Sequence, residues 1–534
     1  MKLLYNAFIR TQNPSQPTES AIVIDREWII AVGEANNLLQ QFPDAEKQNM
    51  EGRVILPGLT DAHLHLKNYA LSLDKVNCET DTKEACLRRV EERAKKAKPA
   101  EWILGHGWNQ NTWGMWPTAS ELDVVAPNNP VYLTAKSLHA AWANTAALKL
   151  ANVDLQMSNP PNGQIQRDDK SDATGILLET AMELVSAIMP EPTISEIAEA
   201  MEKAQSILWK FGLTGVHDFD RRDSFMALQQ LHKQGRLKLR VLKNIPVELL
   251  DQTYQLGLSA GFGDDWLRIG SVKVFMDGAL GPHTAAMFQP YIGEEEEDNR
   301  GILNMDGEEL FEYGRKAAQV GLALTVHAIG DRANHEVLNA YEQLRNYEGE
   351  KHLPALRHRI EHVQVIHPDD AARLGQMDIV ASMQPIHATS DMLMADAFWG
   401  ERSRLAYALK TQLNYGARLA LGSDAPVESP NPFLGLYAAI TRRRADGSPS
   451  AEGWYPEQKL TIEEAWEGFT LGPAYAAHME NRLGRLAPNH LADLIVLEKD
   501  PFTCAPEELL SLQSFATMVG GEWVYTSSAD NNLS

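Results

Sequence analysis

The chain has 534 residues, 44% of them apolar and 23% charged, which is the composition of a soluble globular protein. That length exceeds one ordinary domain and fits one large barrel with additions. A formal net charge of −23 argues against nucleic acids and anionic membrane surfaces as partners. Three cysteines without a C-x-x-C argue against a disulfide framework and make a reducing cytoplasm the expected compartment.

In chain order, the opening "MKLLYNAFIRTQNPSQ" breaks its apolar run at Asn6 and lacks the features of a signal peptide. No stretch approaches about 18 uncharged apolar residues, so no membrane span is expected. Residues 1–57 read as short strands, "KLLYNAFI", "SAIVIDREWIIAVG" and "RVILPG", and so do "LADLIVLEKD" and "ATMVGGEWVYTS" near the other end. Two strand-rich ends flanking an α/β middle predict one small β domain built from residues 1–57 and 479–534.

The middle, residues 58–478, alternates. Apolar runs at 212–220, 237–245, 268–278, 322–331, 357–366, 378–386 and 417–427 are separated by mostly helix-like segments. With the strand that leads to His63 they make eight, the pattern of a (β/α)₈ barrel. An open doubly wound sheet is the competing fold, but neither a G-x-G-x-x-G nor a G-x-x-x-x-G-K-[ST] loop is present. The gap between the first two strands is far longer than a βα unit needs, so an insertion of about residues 68–195 is expected. It carries Trp102, Trp108, Trp113, Trp116 and Trp142. "TIEE" at 461–464 reads as a capping box. Glu294 to Asp298 reads as a solvated loop and Arg442 to Arg444 as an exposed helix end.

Polar residues recur where these strands end. "TDAHLHL" places Asp61, His63 and His65 on one face of a strand. Lys273 lies in "SVKVFMDG", His327 in "LTVHAIGD", His362 in "RIEHVQ" and Asp424 in "LALGSDAP". Barrel chemistry sits at the C-terminal strand ends. A lysine facing a barrel axis is costly unless partnered. It either pairs with a carboxylate such as Asp277 or loses its proton and takes up CO₂ as a carbamate. Four histidines, an aspartate and a lysine suit zinc, and also manganese, iron or nickel. Asp424 is placed to carry a proton between water and a leaving nitrogen.

These stretches resemble the amidohydrolase superfamily, and within it the branch that includes N-substituted formamide deformylases. The likeness runs through "LLYNAFI", "LPGLTDAHLHL", "VKVFMDGALG", "VHAIGDRA", "IEHVQ", "LGSDAPVESPNPF", "AAITRRRADG" and "GRLAPNHLADLIVLEKDPF". It implies a metal-bearing barrel beside a β-sandwich made from both termini. It implies that His63, His65 and Asp424 bind a more buried metal, that His327 and His362 bind a second, and that Lys273 bridges them as its carbamate. Members with one metal also exist, so one or two ions are expected. The implied activity is hydrolysis of an amide, N-formyl or N-acyl amine by a metal-bound hydroxide. An ester, lactone or phosphotriester at the same site, or a metal-holding binding protein without catalysis, stand as the alternatives. Homodimers are common in the family.

The insertion resembles the same branch in "EWILGHGWNQNTWGMWPTASELDVVAPNNPVYL" and "SLHAAWANTAAL". Trp108, Trp113, His139, Trp142 and Asn144 are therefore candidates to cap the mouth and favour an apolar or aryl substrate group; the tryptophans could equally form the insertion's own core. His283 and His387 are further candidates for substrate contact. Two departures from the branch, Ser137-Leu138 and Pro282-His283, fall in these regions. Asp331 is expected to order its turn and cap a helix. His106, His217 and His358 are expected to be structural, and Asp61 to steady a ligand from behind.

Overall fold

The computed structural model describes residues 1–136, 139–154, 157–293 and 298–527, so Ser137-Leu138 and Glu294 to Glu297 lie outside the described residues. The chain divides into two compact units, residues 1–69 with 194–534, and residues 70–193.

The first unit contains the barrel. Its strands are β1 (Leu59–Leu64), β2 (Leu213–Asp218), β3 (Arg240–Pro246), β4 (Leu267–Phe275), β5 (Leu324–Ala328), β6 (Arg359–His362), β7 (Val380–Met383) and β8 (Arg418–Leu421). They pair in parallel in chain order. Every residue of β2, β6 and β7 is buried, including the polar Arg359, Glu361 and His362 of β6. The ring closes just past β8, where the Asp424 amide donates to the His63 carbonyl at 2.7 Å and the His65 amide to the Ala425 carbonyl at 2.9 Å.

The "RVILPGLTDAHLHL" stretch is two strands, not one. Val54–Pro57 pairs antiparallel with Leu494–Leu497, while Leu59–Leu64 enters the barrel. Gly58 makes the step between them: a Cβ there would meet the Thr214 side chain at 2.3 Å. Both chain ends contribute to one eight-stranded sheet, which runs from Glu522–Thr526 through Leu494–Leu497 and Lys2–Arg10 to Trp28–Gly33. One cluster in this sheet joins Leu4, Ile22, Ile55, Val496 and Met518, and another joins Leu3, Ala21, Val23 and Leu38. The buried Arg240–Asp493 pair, 2.5 Å, links the start of β3 to this sheet.

Thr461 forms the expected capping box: its hydroxyl accepts from the Glu464 amide at 3.2 Å, and Glu464 accepts from the Thr461 amide at 2.8 Å. Two local expectations are corrected. Asp331 is the first residue of helix Asp331–Glu350 and not its cap; its carboxylate accepts from the Phe288 amide at 2.9 Å. Arg442 is fully buried, not exposed. It ends helix Pro432–Thr441 in the left-handed conformation, and its guanidinium donates to the Trp454 and Tyr407 carbonyls at 2.9 and 3.0 Å. A guanidinium has donors and no acceptor, and these backbone carbonyls satisfy it.

The second unit carries a six-stranded mixed sheet. Trp108 and Trp142 are fully buried in its core with Leu133 and Ile176. Their indoles donate to the Leu133 and Thr118 carbonyls, both at 2.8 Å. This burial assigns both rings to packing. Asn144 caps helix Thr145–Leu150 by accepting from the Ala147 amide at 3.0 Å, which gives it a structural task. Trp113 is half-buried, 6.2 Å ring to ring from Trp108. His139 is exposed, its Nδ1 3.0 Å from Glu179. Among the described residues no helix is long and apolar enough to cross a membrane.

Candidate metal centre

Barrel register brings the strand-end residues together. Phe275 pairs with His327 across β4 and β5, and Ala328 with His362 across β5 and β6. Ring centroids are 5.0 Å apart for His63 and His362, and 4.7 Å for His327 and His362. One donor atom from each of His63, His362 and Asp424 lies within 4.8 Å of the other two, and all three residues are buried. This donor set suits a divalent transition ion. His65, expected beside His63 and Asp424, lies against the same carboxylate. His65 sits past the end of β1, with Nε2 3.4 Å from Asp424 Oδ1, while His63 Nε2 is 3.5 Å from the same oxygen.

Each imidazole is oriented by a bond on its other nitrogen. His63 Nδ1 donates to Glu361 at 2.6 Å, His362 Nδ1 to Gln384 at 2.8 Å, and His65 Nδ1 to Asp220 at 3.3 Å. Those bonds leave the Nε2 lone pairs of His63 and His362 free for a cation, while His65 Nε2 faces Asp424. His327 is reversed: Nε2 donates to the Gly278 carbonyl at 2.8 Å, which frees Nδ1. Phe219 stacks on His63 at 4.0 Å. Asp61 accepts from the amides of His63 and Ser423 at 3.0 and 3.1 Å and from the Ser423 hydroxyl at 2.5 Å. It ties the strand bearing His63 to the turn bearing Asp424.

The electrostatics fit cation binding. Burial lowers His63 to about 4 and His327 to about 3, with Lys273 adding to both, and it holds His362 well below its ordinary value. These rings are neutral and available as ligands. Burial works against the Asp424 charge, but the facing histidines hold its carboxyl well below the usual range. For His65 burial opposes protonation, yet Asp220 and Asp424 raise it to about 9. Lys273 is buried and brought down to about 8 by desolvation, against the pull of Glu361 and Asp424. Its Nζ sits 4.7 Å from the rings of Phe219 and Phe275.

The suggested Lys273–Asp277 pair does not form. Asp277 lies beyond the end of β4 and accepts from the amides of Ala286, Ile329 and Gly330 at 2.8–3.0 Å. His283 packs in the loop after β4 against Tyr291 and Phe398, at 5.1 and 4.0 Å. His387 is buried beside His362, rings 6.2 Å apart and nearly parallel. His217 accepts from Arg359 at 2.8 Å, and His358 accepts from the Leu324 amide at 3.0 Å.

Sequence reasoning missed Glu361, Arg359, Gln384 and Asp220. Glu361 is fully buried; beyond His63 it holds Arg359 Nη2 at 3.1 Å and the Thr325 hydroxyl. Its signal was present: a carboxylate within an expected barrel strand, one residue before a candidate ligand.

The model of the amidohydrolase family matches residues 47–525. Protein LONG AFTER FAR-RED 3 of Arabidopsis thaliana is 33% identical over 98% of this chain and 91% of its own. N-substituted formamide deformylase of Arthrobacter pascens is 27% identical over 97% of both. Among solved structures, an uncharacterized metal-dependent hydrolase from Pyrococcus furiosus superposes with a TM-score of 0.77 at 29% identity, covering 94% of this chain and 100% of that one. With the strand-end donors and the barrel that carries them, a match over most of its length makes this chain a member of the amidohydrolase family.

Proposed function

We propose that the protein hydrolyses the C–N bond of an amide, N-formyl or N-acyl amine, with Asp424 as proton carrier. Family membership and metal-dependent hydrolase neighbours support metal-dependent hydrolysis. The observation that carries the reading is the buried donor cluster of His63, His362 and Asp424 at the C-terminal strand ends. His65, His327 and Lys273 complete the proposed ligand set for one or two ions, zinc foremost. When bound, a divalent ion supplies Lewis acidity that polarises a carbonyl and acidifies water.

The chain's own groups account for the rest. Asp424 is held ionised, so its carboxylate can accept a proton from water and return it to the leaving nitrogen. Lys273, brought down to about 8 by burial, keeps a fraction of free amine at neutral pH. That amine adds to CO₂ and releases one proton, giving a carbamate. Phe275 at the tip of β4, 45% exposed and 5.3 Å from the His327 ring, offers an aromatic face for an apolar or aryl group. The N-substituted formamide deformylase relative favours C–N over C–O or P–O bonds.

The test is a screen of zinc- or manganese-loaded protein against N-acyl amines, N-acyl amino acids, lactones and phosphotriesters. Turnover of N-acyl amines, abolished in Asp424→Asn with metal largely retained, is the expected result. Turnover confined to lactones or phosphotriesters would refute the bond assignment, and unchanged turnover in Asp424→Asn would remove it as proton carrier.

A further inference from the structure

Among the described residues, the segment after β7 carries two buried polar nitrogens without a hydrogen-bond partner. Gln384, 2% exposed, turns Oε1 to His362, and its Nε2 is buried without a hydrogen-bond partner among the described residues. His387, 8% exposed, likewise has a buried Nε2 without a partner. Both flank His362: Gln384 bonds its Nδ1, and the His387 ring lies nearly parallel to it at 6.2 Å. Leaving a buried donor unpaired costs stability, so such a group beside a candidate site needs an explanation.

The two residues share one local construction. Gln384 is the N-cap and His387 the third residue of helix Pro385–Trp399, whose start carries partial positive charge. Two N–H donors beside a helix start and a cation site suit an oxygen that bears or gains negative charge. We propose that Gln384 Nε2 and His387 Nε2 donate to the acyl oxygen of the substrate. That oxygen gains charge as the nucleophile adds to the carbonyl carbon, and it remains in the carboxylate after the bond to the leaving group breaks. The subsite's ligand class is therefore the acyl group and its product carboxylate.

The inference rests on His63, His362 and Asp424 being the hydrolytic centre, but not on which bond is cut, since esters also release a carboxylate. The test uses benzoate on the zinc-loaded full chain, by calorimetry and by crystallography. The expected result is a benzoate oxygen within about 3.2 Å of both nitrogens. His387→Ala should then bind benzoate about tenfold to a hundredfold more weakly with unchanged zinc content, as loss of a bond to a charged group implies. His387→Gln, which keeps a donor, should recover part of that loss. A benzoate more than 4 Å from both nitrogens, no benzoate binding to the wild type, or equal binding by His387→Ala would each overturn the proposal. The wild-type crystal decides the matter if His387→Ala does not fold. A failed N-acyl amine screen with benzoate seated on both donors would count against the C–N assignment alone.

Discussion

Glu361→Gln is the most informative perturbation behind the metal centre. The Glu361 carboxylate is fully buried and takes three partners. Its Oε2 accepts from His63 Nδ1 at 2.6 Å and from Arg359 Nη2 at 3.1 Å, while Oε1 faces the Thr325 hydroxyl and lies 2.8 Å from Arg359 Nε. Glutamine keeps the shape but loses the charge. With its amide oxygen toward His63, its NH₂ meets Arg359 Nε–H, donor against donor. Turned the other way, it pushes the His63 proton onto Nε2 and removes the lone pair a cation needs. Either way Arg359 stays buried beside a neutral group. Breaking a buried pair costs roughly 3–5 kcal/mol, or about 3–4 °C in Tm for a chain of this size. Loss of a group that orients a ligand weakens metal binding about 10–100-fold. Zinc affinity by competition with a chelator and melting by calorimetry read the two effects separately. Zinc affinity within about twofold of wild type would refute the claim that Glu361 sets the His63 tautomer.

Lys273→Ala should lower metal content, and a short carboxylic acid added to the variant should restore part of it; undiminished metal content would remove Lys273 from the ligand set. His358 is buried neutral, accepting from the Leu324 amide and donating to Glu348 at 3.0 Å, and burial lowers its pKa below the ordinary 6.5. A depressed folded-state value contributes stability that is present above 6.5 and lost as pH falls toward the folded value. Unfolding free energy should therefore drop by up to about 1.4 kcal/mol per pH unit for this group below pH 6.5. His358→Gln should flatten that slope in denaturant titrations at pH 5 to 7, and an unchanged slope would show that His358 does not titrate on unfolding.

Much of the site was legible because barrel strands place chemistry where apolar runs end. His63, His65, Lys273, His327, His362 and Asp424 each follow such a run, and the structure sets all six around one barrel mouth. How near each strand end comes to the others was not legible. Spacing along the chain pairs His63 with His65, but does not say that His362 comes within reach of both His63 and Asp424. That approach depends on how strands far apart in sequence are registered, and on the Asp424–His63 backbone bond that closes the ring. Glu361 and Gln384 escaped notice for a related reason. Each matters through the nitrogen it touches, and touching is set by barrel geometry. Arg442 was misread because a run of three arginines resembles a solvated end. The left-handed turn at Arg442 directs its guanidinium to buried carbonyls instead.

Gly58 shows how one residue connects these levels. An unbroken strand from Arg53 to Leu64 would keep one alternation throughout and belong to one sheet. The Gly58 step lets Val54–Pro57 pair with Leu494–Leu497 while Leu59–Leu64 starts afresh against β2. That restart is what the site depends on. From it Asp61 reaches Ser423, His63 reaches Glu361 and Asp424, and the strand end delivers His65 to Asp220. A side chain at 58 would collide with Thr214 on β2, so the chain would have to move away from the strand that positions it. The "TDAHLHL" motif therefore acts through the glycine that precedes it: its donors converge because the strand carrying them is free to leave the terminal sheet.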